Sequence, residues 1–335
     1  MDSKTKSPEL IFVAGFPRSG TTWFANIFNS HRNVIYRHEL IGRNYHKFGD
    51  ELFKKIKGDG GLTDDQFAQA MKVICSANID TDKPPFFEKG LSYSKSPQFH
   101  HTCWMIAKFF PPFRPLYNHL FKIPIDRSDL NILIKETRST VDMSSMFTSL
   151  RVKNKLLLIR KPHGSIASHL SGIKKGKMNP PGNRYKSQWF STFEDLDYIK
   201  ALDLNDEKIA SMSDTEFYAI NWRLYHLEML KIKSEHPDSI LCFYEDFVEN
   251  PIEEVKSLFK KIGLAFSVDV EQFIKESSGE ASSSSEIKGE GGEYYGVFRT
   301  ASFDQDAWKS ILDDKQKEVI NLHTSDIYEQ LLKLK

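Results

Sequence analysis

The chain has 335 residues, of which 40% are hydrophobic, so it can bury a sizeable core. Its formal net charge of +1 and pI near 7.7 argue against a general nucleic-acid or membrane-surface binder, so any anion site must be local. The three cysteines, Cys75, Cys103 and Cys242, are odd in number and far apart, unlike a disulfide framework or a zinc site. Because the sequence has neither an apolar leader nor a membrane-length apolar run, we expect a soluble, cytoplasmic protein.

The most informative stretch, residues 10–23, predicts a strand, a glycine-bounded loop and a helix. The loop spans residues 15–20, and its inward N–H groups, together with the helix N-terminus behind it, suit a phosphate or sulfate. The spacing is that of a nucleotide P-loop, but Thr21 stands where the P-loop lysine would be. The cation is instead Arg18, inside the loop, whose fork suits an oxyanion lying close to it.

Residues 17–23, Pro-Arg-Ser-Gly-Thr-Thr-Trp, closely resemble the 5′-phosphosulfate loop of sulfotransferases that use 3′-phosphoadenosine-5′-phosphosulfate (PAPS). The resemblance implies a P-loop-like α/β fold with a mostly parallel central sheet of about five strands flanked by helices. It also implies that the nucleotide is held by Arg18, Ser19, Gly20, Thr21, Thr22 and Trp23. The alternative is a glycine turn between a buried strand and a helix.

A second strand is predicted at residues 33–36, and it leads into Arg37, His38 and Glu39. In a parallel sheet these polar residues lie at the carboxyl edge, where open α/β sheets bind ligands. The segment resembles the carbohydrate-type branch of the sulfotransferases, in which a glutamate ends the second strand, although Leu40 replaces the proline that often follows. The resemblance implies that Glu39 is the catalytic base, with His38 as its rival. The alternative is a solvated carboxylate.

Residues 41–129 contain several glycine and proline pairs and are predicted to be irregular, apart from one helix at 63–75 capped by Thr63. We interpret this region as an insert that builds the acceptor pocket. The alternative is that its aromatic side chains only pack the insert onto the sheet.

A third strand is predicted at residues 130–134, followed by Lys135 and Arg138. This Lys-x-x-Arg arrangement resembles the carbohydrate branch; the cytosolic branch has a catalytic histidine where this chain has Thr137. The resemblance therefore implies that Lys135 stabilises charge during transfer. The alternative is a surface lysine.

A fourth strand, at residues 155–159, is apolar throughout, as buried parallel strands are. It leads into Arg160 and a helix predicted to begin near Gly164, which carries Ser168. An arginine and a serine at this separation resemble the family's 3′-phosphate motif. Lys161 and His163 depart from the acidic and basic residues that are usual there.

A second insert is predicted at residues 171–212, a helix at 215–233 and a fifth strand at 239–244. Tyr244 resembles the family's tyrosine near the adenine, and a core tyrosine is the alternative. Asn250 is predicted to cap a helix that stops at Gly263. The Ser/Gly/Glu-rich residues 277–293 are predicted to form a mobile loop.

The last part of the chain offers one more site candidate and a terminal helix. Arg299 is the candidate for the basic residue that a loop in this part of the family's chain offers to the 3′-phosphate. An amphipathic helix is predicted over residues 306–332.

The sequence thus predicts a single domain, residues 1–335, that transfers the sulfuryl group of PAPS to a hydroxyl or amine of a small-molecule or carbohydrate acceptor. Glu39 or His38 is the predicted base, Arg18 and Lys135 stabilise developing charge, and no metal is needed. The alternatives are a P-loop small-molecule kinase, which would require magnesium and ATP, and a non-catalytic nucleotide-binding module.

Overall fold

The computed structural model describes residues 7–42, 44–58, 60–91, 96–137, 143–278 and 305–335. This part of the chain forms two compact units. The first lies within Met1–Arg160 and Glu228–Phe303, and the second within Lys161–Leu227 and Asp304–Lys335. That residues 1–335 form one domain stays a prediction.

The first unit is built around a five-stranded sheet of order β2-β3-β1-β4-β5, in which every neighbouring pair is parallel. The strands are β1 (Glu9–Gly15), β2 (Val34–His38), β3 (Asn131–Glu136), β4 (Asn154–Ile159) and β5 (Ile240–Phe243). The sheet and all five predicted strands are confirmed. Continuous apolar runs such as β1 and β4 predict buried parallel strands because both of their faces are covered.

Sixteen α-helices accompany the sheet in the described residues. In chain order they are α1 (Thr21–Asn29), α2 (Asp50–Lys57), α3 (Asp64–Cys75), α4 (Pro97–Phe109), α5 (Arg114–Leu120), α6 (Met143–Ser149), α7 (Pro162–Lys174), α8 (Asn183–Ser191), α9 (Asp197–Leu202), α10 (Asp206–Ser211), α11 (Asp214–Glu235), α12 (Tyr244–Glu249), α13 (Pro251–Ile262), α14 (Val268–Ser278), α15 (Trp308–Ile311) and α16 (Asp314–Leu332). None of them combines the length and the apolar character that a bilayer-crossing helix needs.

The core of the first unit joins α1, α13 and α14 to one face of the sheet. Ile11 and Val13 of β1 pack in the same buried cluster as Phe28, Phe259 and the other apolar residues of these helices. The rings of Phe28 and Phe259 lie 4.9 Å apart. Burying a side chain of this size contributes about 1.5–3 kcal/mol, so this cluster fixes α1 and the loop that precedes it.

The prediction that residues 41–129 are irregular is wrong outside α3, because α2, α4 and α5 also lie there. The prolines do not break these helices. Pro97 occupies the first turn of α4, whose N-cap Ser96 accepts a hydrogen bond from the N–H of Phe99, and Pro115 occupies the first turn of α5. A first-turn proline loses no helical hydrogen bond. The predicted cap of α3 is confirmed, since Thr63 and Gln66 form a capping box.

Three predictions in the later part of the chain need correction. α13 begins at Pro251 and ends at Gly263 as predicted, but the Asn250 side chain makes no capping hydrogen bond. Ser277 and Ser278 of the predicted mobile loop 277–293 belong to α14, and residues 279–293 lie outside the described residues. The terminal helix predicted over 306–332 is interrupted between α15 and α16, where Asp313 caps α16.

Candidate active site

The loop between β1 and α1 has the backbone that the sequence predicts for an anion cradle. Arg18 has φ 70° and Gly20 has φ 87°, so two of its residues adopt the left-handed conformation. The N–H of Ser19 donates to the carbonyl of Phe16 at 3.0 Å, which closes the turn. Successive N–H groups arranged by such a turn, at the N-terminus of a helix, form a concavity suited to an oxyanion.

Close packing explains both glycines of this loop. A Cβ on Gly20 would lie 2.2 Å from Cε2 of Tyr244, and a Cβ on Gly15 would lie 2.4 Å from Cγ2 of Thr21. Thr21, which replaces the P-loop lysine, is itself buried, with its methyl group against Gly15. This position therefore packs the loop onto the strand.

Arg160 lies against the same loop. Its Nη1 donates to the carbonyl oxygen of Arg18 at 2.9 Å, and its guanidinium carbon lies 4.6 Å from the centre of the Tyr244 ring. The sheet brings these residues together, because Ile159 at the end of β4 pairs with Phe243 at the end of β5. A guanidinium over an aromatic face is stabilised by the ring quadrupole and keeps its planar fork oriented.

Trp23 and Thr22 follow the loop in α1. The indole N–H of Trp23 donates to Oγ of Ser277 at 2.9 Å inside the protein, so this side chain packs α1 against α14. The carbonyl oxygen of Thr22 accepts from the Asn26 side chain at 2.8 Å. Sequence reasoning did not anticipate the Trp23–Ser277 bond, since the two residues are distant in the chain.

Glu39 and Lys135 form a buried ion pair. Lys135 Nζ lies 2.9 Å from Glu39 Oε1, with side-chain exposures of 3% and 6%. The hydroxyl of Thr137 donates to the same carboxylate oxygen at 2.9 Å. Water screens a pair this deeply buried very little, so the positive charge of Lys135 and the two hydrogen bonds stabilise the ionised carboxylate.

The backbone holds Glu39 in an unusual conformation. Glu39 follows β2 with φ 45°, in the left-handed region that few non-glycine residues adopt. Its N–H donates to the carbonyl of Lys135 at 2.9 Å, and its own carbonyl accepts from the Asn44 side chain at 3.2 Å. Such conformations persist where surrounding contacts enforce them, and they are frequent at functional sites.

His38, the predicted rival base, lies beside the ion pair. Its Nδ1 is 2.8 Å from the hydroxyl of Tyr36 and its Nε2 is 3.8 Å from Glu39 Oε1. Burial, reinforced by the charges of Glu39 and Glu136, raises the pKa of the Tyr36 hydroxyl, so Tyr36 stays protonated. The histidine thus lies between a phenol and the carboxylate.

Sequence reasoning gave no role to Glu136, which lies next to Lys135 in β3. Its carboxylate accepts the backbone N–H groups of Ile41 at 2.6 Å and Gly42 at 3.1 Å. Burial raises its pKa to about 7, against the opposing effect of these hydrogen bonds. Glu136 therefore fixes the chain that follows Glu39. The available signal was an acid at the end of an otherwise apolar strand.

The sheet sets the anion loop and the ion pair at one edge. In the parallel register, His38 pairs with Lys135, Ala14 with Glu136, and Gly15 with Leu158. The carboxyl ends of β2, β3, β1 and β4 therefore lie side by side. Ligands of open α/β sheets bind at this edge.

The remaining predicted site residues are Ser168, Arg138 and Arg299. Ser168 lies in α7, in the second unit, and its role in holding a 3′-phosphate stays a prediction. Arg138 and Arg299 lie outside the described residues. No group of three or more His, Cys, Asp or Glu side chains suited to a metal ion occurs in the described ranges.

Comparison with known proteins gives matches among solved structures. No family model and no curated protein matches the sequence. The chain is similar to a sulfotransferase domain from the curacin biosynthetic pathway, with 14% identity over 94% of this chain and 97% of that chain and a TM-score of 0.43. It is also similar to the sulfotransferase domain of a Synechococcus olefin synthase, with 14% identity, coverages of 96% and 97%, and a TM-score of 0.42.

A third similar structure is a mouse sulfotransferase complexed with PAP, with 11% identity over 97% of this chain and 88% of that chain and a TM-score of 0.47. Likenesses this distant identify no activity for this chain. The function must follow from the residues of the site.

Proposed function

We propose that the protein is a sulfotransferase that moves the sulfuryl group of PAPS to a hydroxyl or amine. The observation that supports this most directly is the buried Glu39–Lys135 pair at the sheet edge that also carries the anion loop. Thr21, which is buried, stands where an ATP-dependent P-loop enzyme has its lysine, and the cation of the loop is instead Arg18. The hydrogen-bond donors of the loop therefore fit an oxyanion that is held close to the backbone.

The loop and Arg160 provide the binding half of the mechanism. The N–H groups of residues 20–22 and the Arg18 side chain hold the 5′-phosphosulfate, while the N–H of Ser19 closes the turn. Arg160, positioned by Tyr244 and by the Arg18 carbonyl, faces the 3′-phosphate. Ser168 is the proposed second ligand of that phosphate, from sequence alone. PAPS supplies the activated sulfuryl group.

Glu39 and Lys135 provide the chemical half. Glu39 accepts the proton of the acceptor hydroxyl as that oxygen forms its bond to sulfur, and the bond from sulfur to the bridging oxygen breaks. The negative charge moves onto this oxygen of the leaving 3′,5′-adenosine bisphosphate (PAP), where Lys135 and Arg18 stabilise it. When Glu39 takes up the proton it loses its charge, so Lys135 becomes a stronger partner for the leaving oxygen at the moment it is needed.

The acceptor is proposed to bind beside β2, against residues of the insert 41–129. A small, open cavity lies there and is lined by Tyr36, Arg37, Phe86, Phe87, His100 and Phe121, among others. The resemblance of the segments around Glu39 and Lys135 to the carbohydrate branch supports a sugar hydroxyl, and a small metabolite is the alternative. Aromatic walls suit either, since rings stack on sugar faces as well as on apolar groups.

The first test is a thermal-shift titration of the full chain with PAP and, separately, with ATP and magnesium. A ligand that binds only the folded state raises the melting temperature by mass action. We expect a shift with PAP that Arg18→Ala removes. A shift with ATP and magnesium alone would instead favour the kinase.

Turnover is tested separately with PAPS and a panel of sugars, phenols and amines. Product formation that requires both PAPS and an acceptor is the expected result. Binding of PAP without turnover across the panel would favour the non-catalytic module.

A further inference from the structure

The helical hairpin formed by α4 and α5 presents apolar side chains on both of its faces. The inner face joins a buried cluster that contains Cys103, Trp104, Ala107, Tyr117 and Phe121. The outer face exposes the large apolar residues Phe99 (50%), Ile106 (43%), Phe109 (71%), Phe110 (58%) and Leu116 (47%). Helical spacing aligns the first three of these on one side of α4. Single exposed apolar residues are ordinary, but a contiguous set marks an interaction surface.

The turn of this hairpin is suited to an apolar surrounding. It consists of residues 109–112, Phe-Phe-Pro-Pro, all of them exposed, and we call it the hairpin tip. The N–H of Phe110 donates to Ile106 at 2.7 Å, and Pro111 and Pro112 have no N–H to satisfy. Arg114 Nε donates to the carbonyl of Ala107 at 3.2 Å. Because these backbone groups are already paired or absent, burying the tip leaves few polar groups unsatisfied.

The stretch of sequence that contains the tip carries charge of one sign only. No Asp or Glu occurs from residue 89 to 125, whereas the chain as a whole has a net charge of only +1. The Lys and Arg residues in this interval are Lys89, Lys95, Lys108, Arg114 and Lys122. Lys89 is buried, whereas Arg114 is exposed in the first turn of α5, next to the tip, and Lys122 is exposed just after the end of α5. A local positive field of this kind attracts an anionic surface.

Lys108 links the apolar and the charged parts of the hairpin. Its Nζ lies 4.8 Å from the centre of the Trp104 ring and 5.5 Å from that of Phe109. Its ammonium thus lies over the aromatic surface of the hairpin, close to the exposed ring of Phe109. A cation at this place adds positive charge next to the tip.

We propose that the α4–α5 hairpin docks the protein on the surface of a bilayer that contains anionic lipids. The rings of Phe109 and Phe110 enter the boundary between headgroups and acyl chains, and Lys108 and Arg114 contact the headgroups. Two adjacent rings that project from a turn fit a fluid, deformable layer, whereas a protein partner would need a pocket matched to them. This surface is separate from the proposed transfer chemistry and does not depend on it.

Vesicle flotation of the full chain tests the proposal. We expect the protein to float with vesicles of phosphatidylcholine and phosphatidylserine, weakly with phosphatidylcholine alone, and less as salt is added. The double change Phe109→Ser and Phe110→Ser should weaken vesicle binding by at least about tenfold, because burial of even one such ring in an apolar layer stabilises the bound state by about that factor. Lys108→Glu, which reverses the charge next to Phe109, should reduce the preference for the anionic vesicles.

Two matched variants serve as controls. Val268→Ser in α14 and Leu322→Ser in α16 remove side chains that are 78% and 77% exposed, and they should float as the unmodified protein does. The serine variants should keep the melting temperature of the unmodified protein, because each side chain that they change faces solvent. Equal flotation of the double-serine variant and the unmodified protein would overturn the proposal. A concentration-dependent dimer that the double-serine change dissociates, without any vesicle binding, would overturn it in favour of a second copy.

Discussion

The ammonium of Lys135 and the carboxylate of Glu39 meet at 2.9 Å inside the protein, at the ends of neighbouring parallel strands. Removing two charges from water is costly, and a hydrophobic pair of similar size would often be as stable. The hydroxyl of Thr137 adds a hydrogen bond to the same oxygen, which fixes the carboxylate. A catalytic role therefore explains a buried ion pair at this position better than a contribution to folding stability does.

Replacing Glu39 with glutamine tests its role as the base. Glutamine keeps the shape and can accept the Thr137 hydrogen bond, but it cannot take a proton from the acceptor. We expect turnover to fall roughly a hundredfold to ten-thousandfold, the usual contribution of general base catalysis, while PAP still raises the melting temperature. The melting temperature itself should fall, because Lys135 loses its buried partner.

His38→Gln is the matched comparison for that experiment. Its side chain is more exposed than that of Glu39 and lies 3.8 Å from the carboxylate, so we expect a smaller loss of turnover. The reverse ranking, with His38→Gln nearly inactive and Glu39→Gln active, would make the histidine the base.

Glu136 predicts a specific pH dependence of stability. Burial raises its pKa from 4.5 to about 7 in the folded protein. The folded state therefore binds the proton more tightly than the unfolded state does. The resulting stabilisation is complete below pH 4.5 and is lost as the pH rises through 7.

Urea unfolding of Glu136→Gln and of the unmodified protein between these pH values measures this effect. The unmodified protein should lose roughly 3 kcal/mol relative to the variant across the window. Parallel stability profiles for the two proteins would show that Glu136 does not titrate with a raised pKa.

Gly20→Ala should destabilise the anion loop by more than the strain of a left-handed backbone, because the new methyl group also clashes with a neighbouring ring. At φ 87°, the new Cβ would lie 2.2 Å from the Tyr244 ring. Gly263→Ala is the control, since Gly263 has φ 75° and its Cβ would meet nothing within 4 Å. Left-handed alanine costs about 1–2 kcal/mol at either position. Thermal melting should show a larger loss for Gly20→Ala, accompanied by loss of the PAP-induced shift.

Arg160→Lys keeps the charge but removes the fork that bonds to the Arg18 carbonyl and lies over Tyr244. A lysine cannot maintain these contacts while presenting two donors to a phosphate. We expect calorimetry to show PAP binding weakened by about tenfold or more. Lys161→Ala, at the exposed next position, should leave the affinity unchanged. Equal affinities for Arg160→Lys and the unmodified protein would exclude Arg160 from the nucleotide site.

The strands were predictable because a buried parallel strand leaves a continuous apolar run, as in β1 and β4. The helices between residues 41 and 129 were not, because the glycine and proline pairs of this interval were interpreted as signs of irregular structure. The prolines inside these helices, Pro97 and Pro115, lie in first helical turns, where the missing N–H has no cost. Whether such a segment is helical therefore depends on where each proline lies relative to the helix N-cap, and not on how many prolines the segment contains.

The individual site residues were predictable, but their relationships were not. Glu39 and Lys135 each follow an apolar run, which marks a strand end. Their direct contact, and the part played by Thr137, depend on the register of β2 with β3, which the sequence does not show. The basic hairpin was missed for another reason. A net charge of +1 averages over the chain and conceals an interval without acids.

The order in which the chain is synthesised gives the central position of β1 a further consequence. β1 leaves the ribosome before every other strand, yet Glu9 pairs with Asn131 and Ile11 with Asn154. The anion loop is therefore synthesised before the other strands of the sheet but completed only when distant segments arrive, including the Ser277 that anchors Trp23. Contacts of such long range form slowly and leave the early strand exposed to misassociation. Nascent chains that stop short of α14 should lack a working cradle, so nucleotide binding would report that synthesis has passed α14.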